Sequence, residues 1–410
     1  MLQWSMMNIF FSGINGTGIG PLALLANDAG FKVFGSDTTR GAVYDDLTAR
    51  GIDFDIGAQD GAFLQQVYNE HGVDWFVYTS ALTDDHPELV LARKLGIKTS
   101  KRDDLINLII KEKGLKLVAI AGTHGKTTVT AMLIWAFKQL NLPLSYLVGT
   151  TLSFAPSGQL DQNGRYFVYE CDEYDRNFLK FKPDLALITN VSFDHPNIYP
   201  TKADYDEAFD QFMHQSLAVI KSRSSALRGL NLPGKHNRIN ATLVIDALIK
   251  LGIETDQAKL VSILNDFPGA SRRFEKLANN LYTDYAHHPE EVANTVAMAR
   301  ELSDKVAIIY QPHQNTRQHQ VKDGYSRAFT GASRVFWLPT YLTREDPNLP
   351  VLTPQDLIAN LADPSIAQPA NLDEKLVQDI KQLLKDGYLV VLMSAGSADS
   401  WLRQNFNHDK

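Results

Sequence analysis

LKLVAIAGTHGKTT, from Leu115 to Thr128, is the stretch from which the rest of the chain is read. Leu115 to Ile120 are mostly apolar and read as a buried strand. A tight turn follows, Gly122-Thr123-His124-Gly125, then Lys126-Thr127-Thr128. VTAMLIWAF then carries apolar residues at helical spacing. Strand, glycine turn, Lys-Thr, helix is the layout of a phosphate-binding loop. Backbone N–H groups and the helix N-terminus cradle phosphate oxygens, the lysine neutralises them, and the hydroxyl ligates Mg²⁺. The usual loop has four residues between its first glycine and Gly-Lys. Here that place, position 120, is Ile, and the first glycine is Gly122. An ordinary strand-to-helix turn that happens to hold a lysine is the alternative. Two glycines, a lysine and two threonines converging where a helix dipole starts argue against it.

Composition sets the outer bounds. A chain of 410 residues predicts two to four domains, and 44% hydrophobic content suffices for several cores. Lys+Arg 40 against Asp+Glu 47 leaves −7, which disfavours a general nucleic-acid or anionic-membrane surface. Cys171 is the single cysteine, so no intramolecular disulfide framework forms and a reducing compartment fits. The start, MLQWSMMNIFFSG, lacks a basic leader region, and no stretch is long enough to span a bilayer. A soluble cytoplasmic protein is expected, with no low-complexity tract and no internal repeat.

Upstream, Asn8 to Ser12 reads as a strand that turns through Gly13-Ile14-Asn15-Gly16-Thr17-Gly18-Ile19-Gly20 into a helix with Pro21 in its first turn. A second strand, Phe31 to Phe34, leads to Gly35-Ser36-Asp37. This is a dinucleotide-fold opening, in which glycines let the backbone approach a pyrophosphate and an acid after the second strand meets a ribose. Gly18, Gly20 and Ala23 give a GxGxxA spacing that suits NAD equally, and a close strand–helix contact explains it as well. Trp75 to Tyr78 is a short strand ending in Thr79-Ser80-Ala81, and Asp84-Asp85-His86-Pro87-Glu88 starts a helix. Lys98 to Lys101 precedes another helix, Asp103 to Glu112.

Downstream of the loop, Tyr166 to Glu170 runs into Cys171-Asp172-Glu173-Tyr174-Asp175, where three acids at a strand end suit Mg²⁺. A solvated acidic turn is the equal alternative. Leu185 to Thr189 closes on Asn190-Val191-Ser192-Phe193-Asp194-His195-Pro196, which places Asp-His where α/β sites collect polar groups. A helix from Lys202 to Gln215 follows. GKHNRINA, Gly234 to Ala241, starts another, with Asn237 and Asn240 on one face or serving as caps. In the last third, strands at Leu281 to Asp284, Val306 to Tyr310, Val335 to Leu338 and Leu389 to Met393 alternate with helices. DYAHHP (284–289), QPHQNTR (311–317) and SAGS (394–397) sit just after three of them. Adjacent His287 and His288 point apart on an extended turn and have no Cys nearby, so zinc is not expected there.

AGTHGKTT, ECDEYD, TNVSFDHP, GKHN, the Arg-Arg-Phe of residues 272–274, DYAHHP and QPH–TR occur in this order, and together they resemble the Mur ligases, the amino-acid-adding enzymes of peptidoglycan synthesis. The resemblance covers the whole chain and implies an α/β fold of three domains. These are a Rossmann-like UDP-binding domain (1–114), a central P-loop ATPase-like domain (115–275) and a C-terminal Rossmann-like domain (276–410). It implies that ATP is held by Gly122, Thr123, His124, Gly125, Lys126, Thr127, Thr128, Asn190, Asn237, Asn240 and Arg273. Mg²⁺ falls to Thr127, Glu173 and His195. The UDP-sugar falls to Gly16, Thr17, Gly18, Ile19, Asp37 and Ser80, and the amino acid and domain closure to His287, His288, His313 and Arg317. Lys126, Glu173, His195 and Arg317 are the catalytic set.

The implied reaction is ATP-dependent amide formation between the lactyl carboxylate of UDP-N-acetylmuramate and L-alanine, through an acyl phosphate, by a monomer or homodimer. Many members carry a carbamylated lysine after the Asp-His segment. Here Lys202 stands only at the helix start, which favours the alanine-adding branch and the branch that attaches a recycled tripeptide. Three features depart from the family pattern. Gln314 stands where the alanine branch commonly has Arg, Thr340 to Leu349 does not match, and the stretch between Ile220 and Gly234 is short. Residues missing near Ile220-Lys221, or a pared-down domain, would explain the last. Its basic residues Lys221, Arg223 and Arg228 read as an exposed loop. A nicotinamide-dependent oxidoreductase and a non-catalytic nucleotide switch are the readings from other classes; the first leaves AGTHGKTT unexplained.

Overall fold

The computed structural model describes residues 7–406 apart from 42, 80–81, 196–197 and 344. Three sheets organise the chain. The first holds β1 (Asn8–Ser12), β2 (Lys32–Asp37), β3 (Asp53–Ile56), β4 (Trp75–Tyr78) and β5 (Lys98–Lys101), all parallel, in the order β3-β2-β1-β4-β5. The order reverses between β1 and β4. Ligands of such sheets bind in the crevice beyond the carboxyl ends at that point. Both faces are covered, so β1 is a run of apolar residues rather than an alternation. The helix Gly20–Asp28 starts on Pro21, whose missing N–H costs nothing there.

The second sheet holds β6 (Lys116–Ala121), β7 (Ser145–Leu147), β8 (Gly158–Gln159), β9 (Tyr166–Glu170), β10 (Leu185–Ile188) and β11 (Val219–Lys221), in the order β11-β10-β6-β9-β7-β8. Only β7 and β8 pair antiparallel. β6 lies centrally between β9 and β10, so the turn after it opens beside the ends of both. One apolar core runs from the first sheet to the second, joining Leu22, Leu25 and Leu105 to Leu117, Phe167 and Phe178.

The third sheet holds β12 (Glu275–Ala278), β13 (Leu281–Asp284), β14 (Val306–Gln311), β15 (Arg334–Trp337), β16 (Ala367–Pro369) and β17 (Leu389–Ser394), in the order β12-β13-β17-β14-β15-β16. Only the β12–β13 pair is antiparallel. The two faces of this sheet carry separate cores, around Tyr310, Tyr325 and Trp337 on one side and Leu281, Ile380 and Leu392 on the other.

By packing, the chain forms two compact units: Met1–Ser225 with Asn240–Pro268, and Ala226–Ile239 with Gly269–Lys410. The division falls inside the helix Lys235–Lys250.

The α/β class and most element positions agree with the sequence reading. β2 runs three residues past Phe34, because pairing to β1 and β3 continues through Gly35 and Ser36. β5 has no apolar alternation, so its sequence reads only as a run before a helix. It is an edge strand held by β4. Residues 220 and 221 belong to β11, and the Ser222 N–H continues by bonding Ile188 O at 2.9 Å. Arg223 is not free either: it forms a two-pronged pair with Asp246 at 2.6 and 2.8 Å.

Candidate active site

Gly122, at φ +140°, ends β6. A Cβ there would stand 2.0 Å from Thr189 Oγ1, so the position admits only glycine. The turn is braced on the end of β10. Thr123 N–H donates to Asn190 O at 3.1 Å and His124 N–H to Asn190 Oδ1 at 2.9 Å. Thr189 Oγ1 donates to His124 O at 2.6 Å, and Thr123 Oγ1 to Ser192 O at 2.7 Å. Asn190 therefore holds the loop itself. Gly125, at φ +85°, takes the N-cap position of the helix Lys126–Gln139, which no side chain caps, and Asn240 packs on it. A helix N-terminus without a side-chain cap is the kind of place where an anion binds.

Lys126 curls back over the loop. Its Nζ donates to Gly122 O at 2.6 Å and to Glu173 Oε2 at 2.6 Å. Glu173, delivered by the end of β9, is 1% exposed. Its Oε1 lies 3.6 Å from His195 Nε2, and Tyr199 OH donates to its backbone oxygen at 2.5 Å. His195 is held in the left-handed region at φ +58°, its N–H on Asp194 Oδ1 at 2.7 Å. Burial alone would raise the Glu173 carboxyl, but the Lys126 ammonium and the His195 ring outweigh it and hold it below the usual carboxylate range. Burial pulls Lys126 the other way, and Glu173 with Asp172 outweighs that, so the lysine titrates higher than usual. Of the three acids in this segment, only Glu173 joins the loop. Asp172 accepts from Tyr174 N–H, and Asp175 pairs with Lys101 at 3.2 Å.

A buried carboxylate, an imidazole nitrogen and the buried hydroxyl of Thr127 beside a phosphate loop suit a hard divalent cation. Glu173 already requires a cation, which Lys126 supplies here. Thr128 stands one residue further along the same helix.

In the first sheet, the glycine turn is fastened to β2. Gly13 and Ile14 N–H groups share Ser36 O at 2.8 and 3.0 Å, and Asn15 N–H donates to Asp37 Oδ2 at 2.8 Å. Asp37 also caps Thr38 N–H at 2.8 Å, so it shapes the turn. Gly16 O accepts from Gly20 N–H, and Ile19 is the N-cap of the helix with Thr17 and Gly18 just before it. Ser80 lies outside the described residues. Glu88 is a buried group that the sequence reading does not find. It accepts from Ser12 Oγ at 2.5 Å and Ser36 Oγ at 2.6 Å, and Gln59 Nε2 donates to it at 3.3 Å, tying the ends of β1 and β2 together. Burial raises its carboxyl, against those hydroxyl bonds. The Pro-Glu signature marked only a helix start; inward orientation leaves no trace in a sequence.

The second unit has its own polar cluster, at the ends of β13, β17 and β14. Asp284 accepts from Phe274 N–H at 2.7 Å and Ala286 N–H at 2.8 Å, and burial pushes it up to about 6. Arg272 donates to Ser394 O at 2.6 Å, and Arg273 lies over the Tyr285 ring at 5.1 Å. His288 is the N-cap of the helix Pro289–Leu302, accepting from Glu290 N–H. His287 Nδ1 sits 3.0 Å from Tyr285 O. The His313 ring lies 5.8 Å from that of His287 and stacks on Tyr341 at 5.7 Å. Burial, with His287 and Arg317 beside it, pulls His313 down to about 4. Arg317 Nη1 is buried and has no hydrogen-bond partner among the described residues. Asn237 donates to Pro233 O at 3.0 Å, within the start of its own helix.

Two features here escaped the sequence. Glu345, from the unmatched stretch 340–349, accepts from Asn315 and Thr316 N–H groups at 3.0 and 2.9 Å and caps the helix Asn315–Val321. A buried chain also runs from His287 O through Tyr310 OH (3.1 Å), Tyr325 OH (2.6 Å) and Gln318 Oε1 (2.8 Å). Gln318 Nε2 then donates to His313 O at 3.0 Å. It fixes the backbones of both histidines.

Residues 8–113 match the Mur ligase family catalytic domain, and residues 120–228 the Mur ligase middle domain. The UDP-N-acetylmuramate–L-alanine ligase of Halorhodospira halophila is 30% identical over 456 positions, covering 95% of this chain and 91% of that protein. That of Levilactobacillus brevis is 32% identical over 381 positions, covering 80% and 82%. The former alignment is longer than this chain's 410 residues, so the relative carries stretches with no counterpart here. Among solved structures, the UDP-N-acetylmuramate-alanine ligase of Thermotoga maritima superposes with a TM-score of 0.76 at 24% identity, over 97% of this chain and 98% of that one.

Proposed function

Because the chain belongs to the Mur ligase family, we propose that it joins the lactyl carboxylate of UDP-N-acetylmuramate to the amine of L-alanine at the expense of ATP, in peptidoglycan synthesis. The observation that carries this reading is the convergence of Lys126, Glu173 and His195 at the mouth of an uncapped, glycine-turned helix. Relatives named for the alanine reaction, matched over most of their length, support the choice of acceptor.

In this reading the carboxylate takes the γ-phosphoryl group of ATP and ADP leaves; the amine then attacks the acyl carbon and inorganic phosphate leaves. The protein's work is positioning and charge. The N–H groups at the start of the helix, from Gly125 to Thr128, orient the phosphates, while those of Thr123 and His124 stay on Asn190. Lys126 would offset charge on the γ-phosphoryl oxygens, and Glu173, His195 and Thr127 would hold Mg²⁺. That ion would supply positive charge against the transferring group. Asn190 and Asn240 keep the loop in shape, and Asn237 and Arg273 are further nucleotide contacts in this assignment. Gly16, Thr17, Gly18, Ile19 and Asp37 form the nucleotide-sugar turn. His287, His288, His313 and Arg317 form the acceptor end, where the unsatisfied Arg317 donor suits a carboxylate. We take 1–114, 115–275 and 276–410 as the functional segments. No helix among the described residues is long and apolar enough to cross a membrane, and a cytoplasmic setting is our reading.

The test is phosphate release with ATP, Mg²⁺ and UDP-N-acetylmuramate, comparing L-alanine with a panel of amino acids and the tripeptide. Release that needs all components and prefers L-alanine is expected. Preference for the tripeptide moves the protein to the recycling branch. Binding of ATP without release under any acceptor, or of NADH without ATP, overturns the proposal.

A further inference from the structure

Tyr205 stands in the first turn of the helix Lys202–His214, whose start is fixed by a capping box between Thr201 and Asp204. The side chain is fully buried, and its ring packs on Tyr199 at 4.9 Å and Phe209 at 5.0 Å. A phenylalanine ring would fill the same space. What the hydroxyl adds is one contact: it lies 2.8 Å from Oγ1 of Thr123, in the turn after β6.

The direction of that bond follows by elimination. A threonine hydroxyl has one proton and two lone pairs, and Thr123 Oγ1 has three partners. Ser192 O, at 2.7 Å, can only accept, so it takes the threonine proton. Ser192 N–H, at 2.9 Å, can only donate, so it fills one lone pair. The other lone pair accepts from Tyr205. The Thr123 hydroxyl is thereby saturated, and its rotamer is locked from two sides: the segment after β10 and the helix Lys202–His214. Tyr199, packed on the same ring, donates to the backbone oxygen of Glu173 at 2.5 Å. The hydroxyls of this tyrosine pair thus pin both the turn after β6 and the segment after β9.

We propose that Tyr205 is a positioning residue for ATP: acting through Thr123, its hydroxyl keeps the turn Gly122–Gly125 in the shape that receives the triphosphate. This rests on the reading of that turn as the ATP site. A loop held in shape before the ligand arrives binds it more tightly, because binding then carries less ordering cost.

The experiment measures equilibrium binding of ATP and of UDP-N-acetylmuramate to the full chain, Tyr205→Phe, Thr123→Val and the double variant. Tyr205→Phe removes one oxygen, keeps the ring in the core and leaves Thr123 with both Ser192 bonds. Loss of one hydrogen bond predicts ATP binding weaker by about 3- to 10-fold in Tyr205→Phe, with UDP-N-acetylmuramate affinity unchanged. Added to Thr123→Val, the same substitution should weaken ATP no further, since the hydroxyl it acts through has already gone. A merely structural tyrosine would give equal losses for the two ligands and additive losses in the double variant. Either of those results, or unchanged ATP binding in Tyr205→Phe, overturns the inference and leaves the ATP reading of the loop standing. Thr123→Val removes the same bond from its other end, so unchanged ATP binding there also overturns it, even if Tyr205→Phe does not fold. A parent protein that binds no ATP overturns both.

Discussion

The ammonium of Lys126 lies 2.6 Å from Oε2 of Glu173, a carboxylate that is 1% exposed. These two groups satisfy each other. The lysine that reads as a phosphate ligand in sequence is also the counter-ion of the acid proposed to hold the metal. Substitutions at either position therefore have a catalytic and a stability component, which can be separated.

Lys126→Ala should abolish ATP turnover, by about 10³-fold or more, through loss of charge at the transferring group. It also strands a buried carboxylate, at a cost of about 3 kcal/mol or more at neutral pH. Lys126→Ala with Glu173→Gln should recover most of the stability and none of the turnover. Thermal midpoints and phosphate release on the single and double variants check both statements.

The same pair makes stability depend on pH at both ends. The Glu173 carboxyl is held below 4.5, so its contribution is present above that value and is lost as pH falls through the folded-state pKa. Lys126 is held above 10.5, so its contribution is complete below that value and fades as pH rises through the folded-state pKa. Urea midpoints against pH should show both losses in the parent protein and neither in the double variant.

His313 gives a window of its own. It stays neutral to about 4 in the folded chain and has a reference value of 6.5, so the unfolded chain binds the extra proton between them. Stability should fall as pH drops from 6.5 to 4. His313→Gln should flatten that part of the profile, read by the same urea midpoints.

Gly122→Ala should lose ATP binding together with loop structure. The new Cβ meets Thr189 Oγ1 at 2.0 Å, and the backbone at φ +140° disfavours any side chain. Equilibrium ATP binding provides the check, and retained affinity would show that the loop relaxes.

Tyr325→Phe removes the middle of the chain between the His287 and His313 backbones and leaves Gln318 Oε1 without its donor. A loss of about 1–3 kcal/mol is expected in denaturant unfolding. The Michaelis constant for the amino acid should rise while that for ATP holds.

The sequence alone was sufficient for the fold class, the loop Gly122–Thr128 and the strand ends that carry Glu173 and His195. Strands buried on both faces and glycine turns are local patterns, set by backbone sterics and apolar runs that neighbouring residues express together. Which acid of Asp172, Glu173 and Asp175 reaches Lys126 was decided only in three dimensions, because β6 lies between β9 and β10 and Glu173 alone points to that shared edge. The same holds for Glu88 under Ser12 and Ser36, and for Glu345 capping a helix about 30 residues upstream. Each of these joins a charge to a partner far along the chain. Such pairings follow from sheet order and burial, and sequence spacing does not encode them.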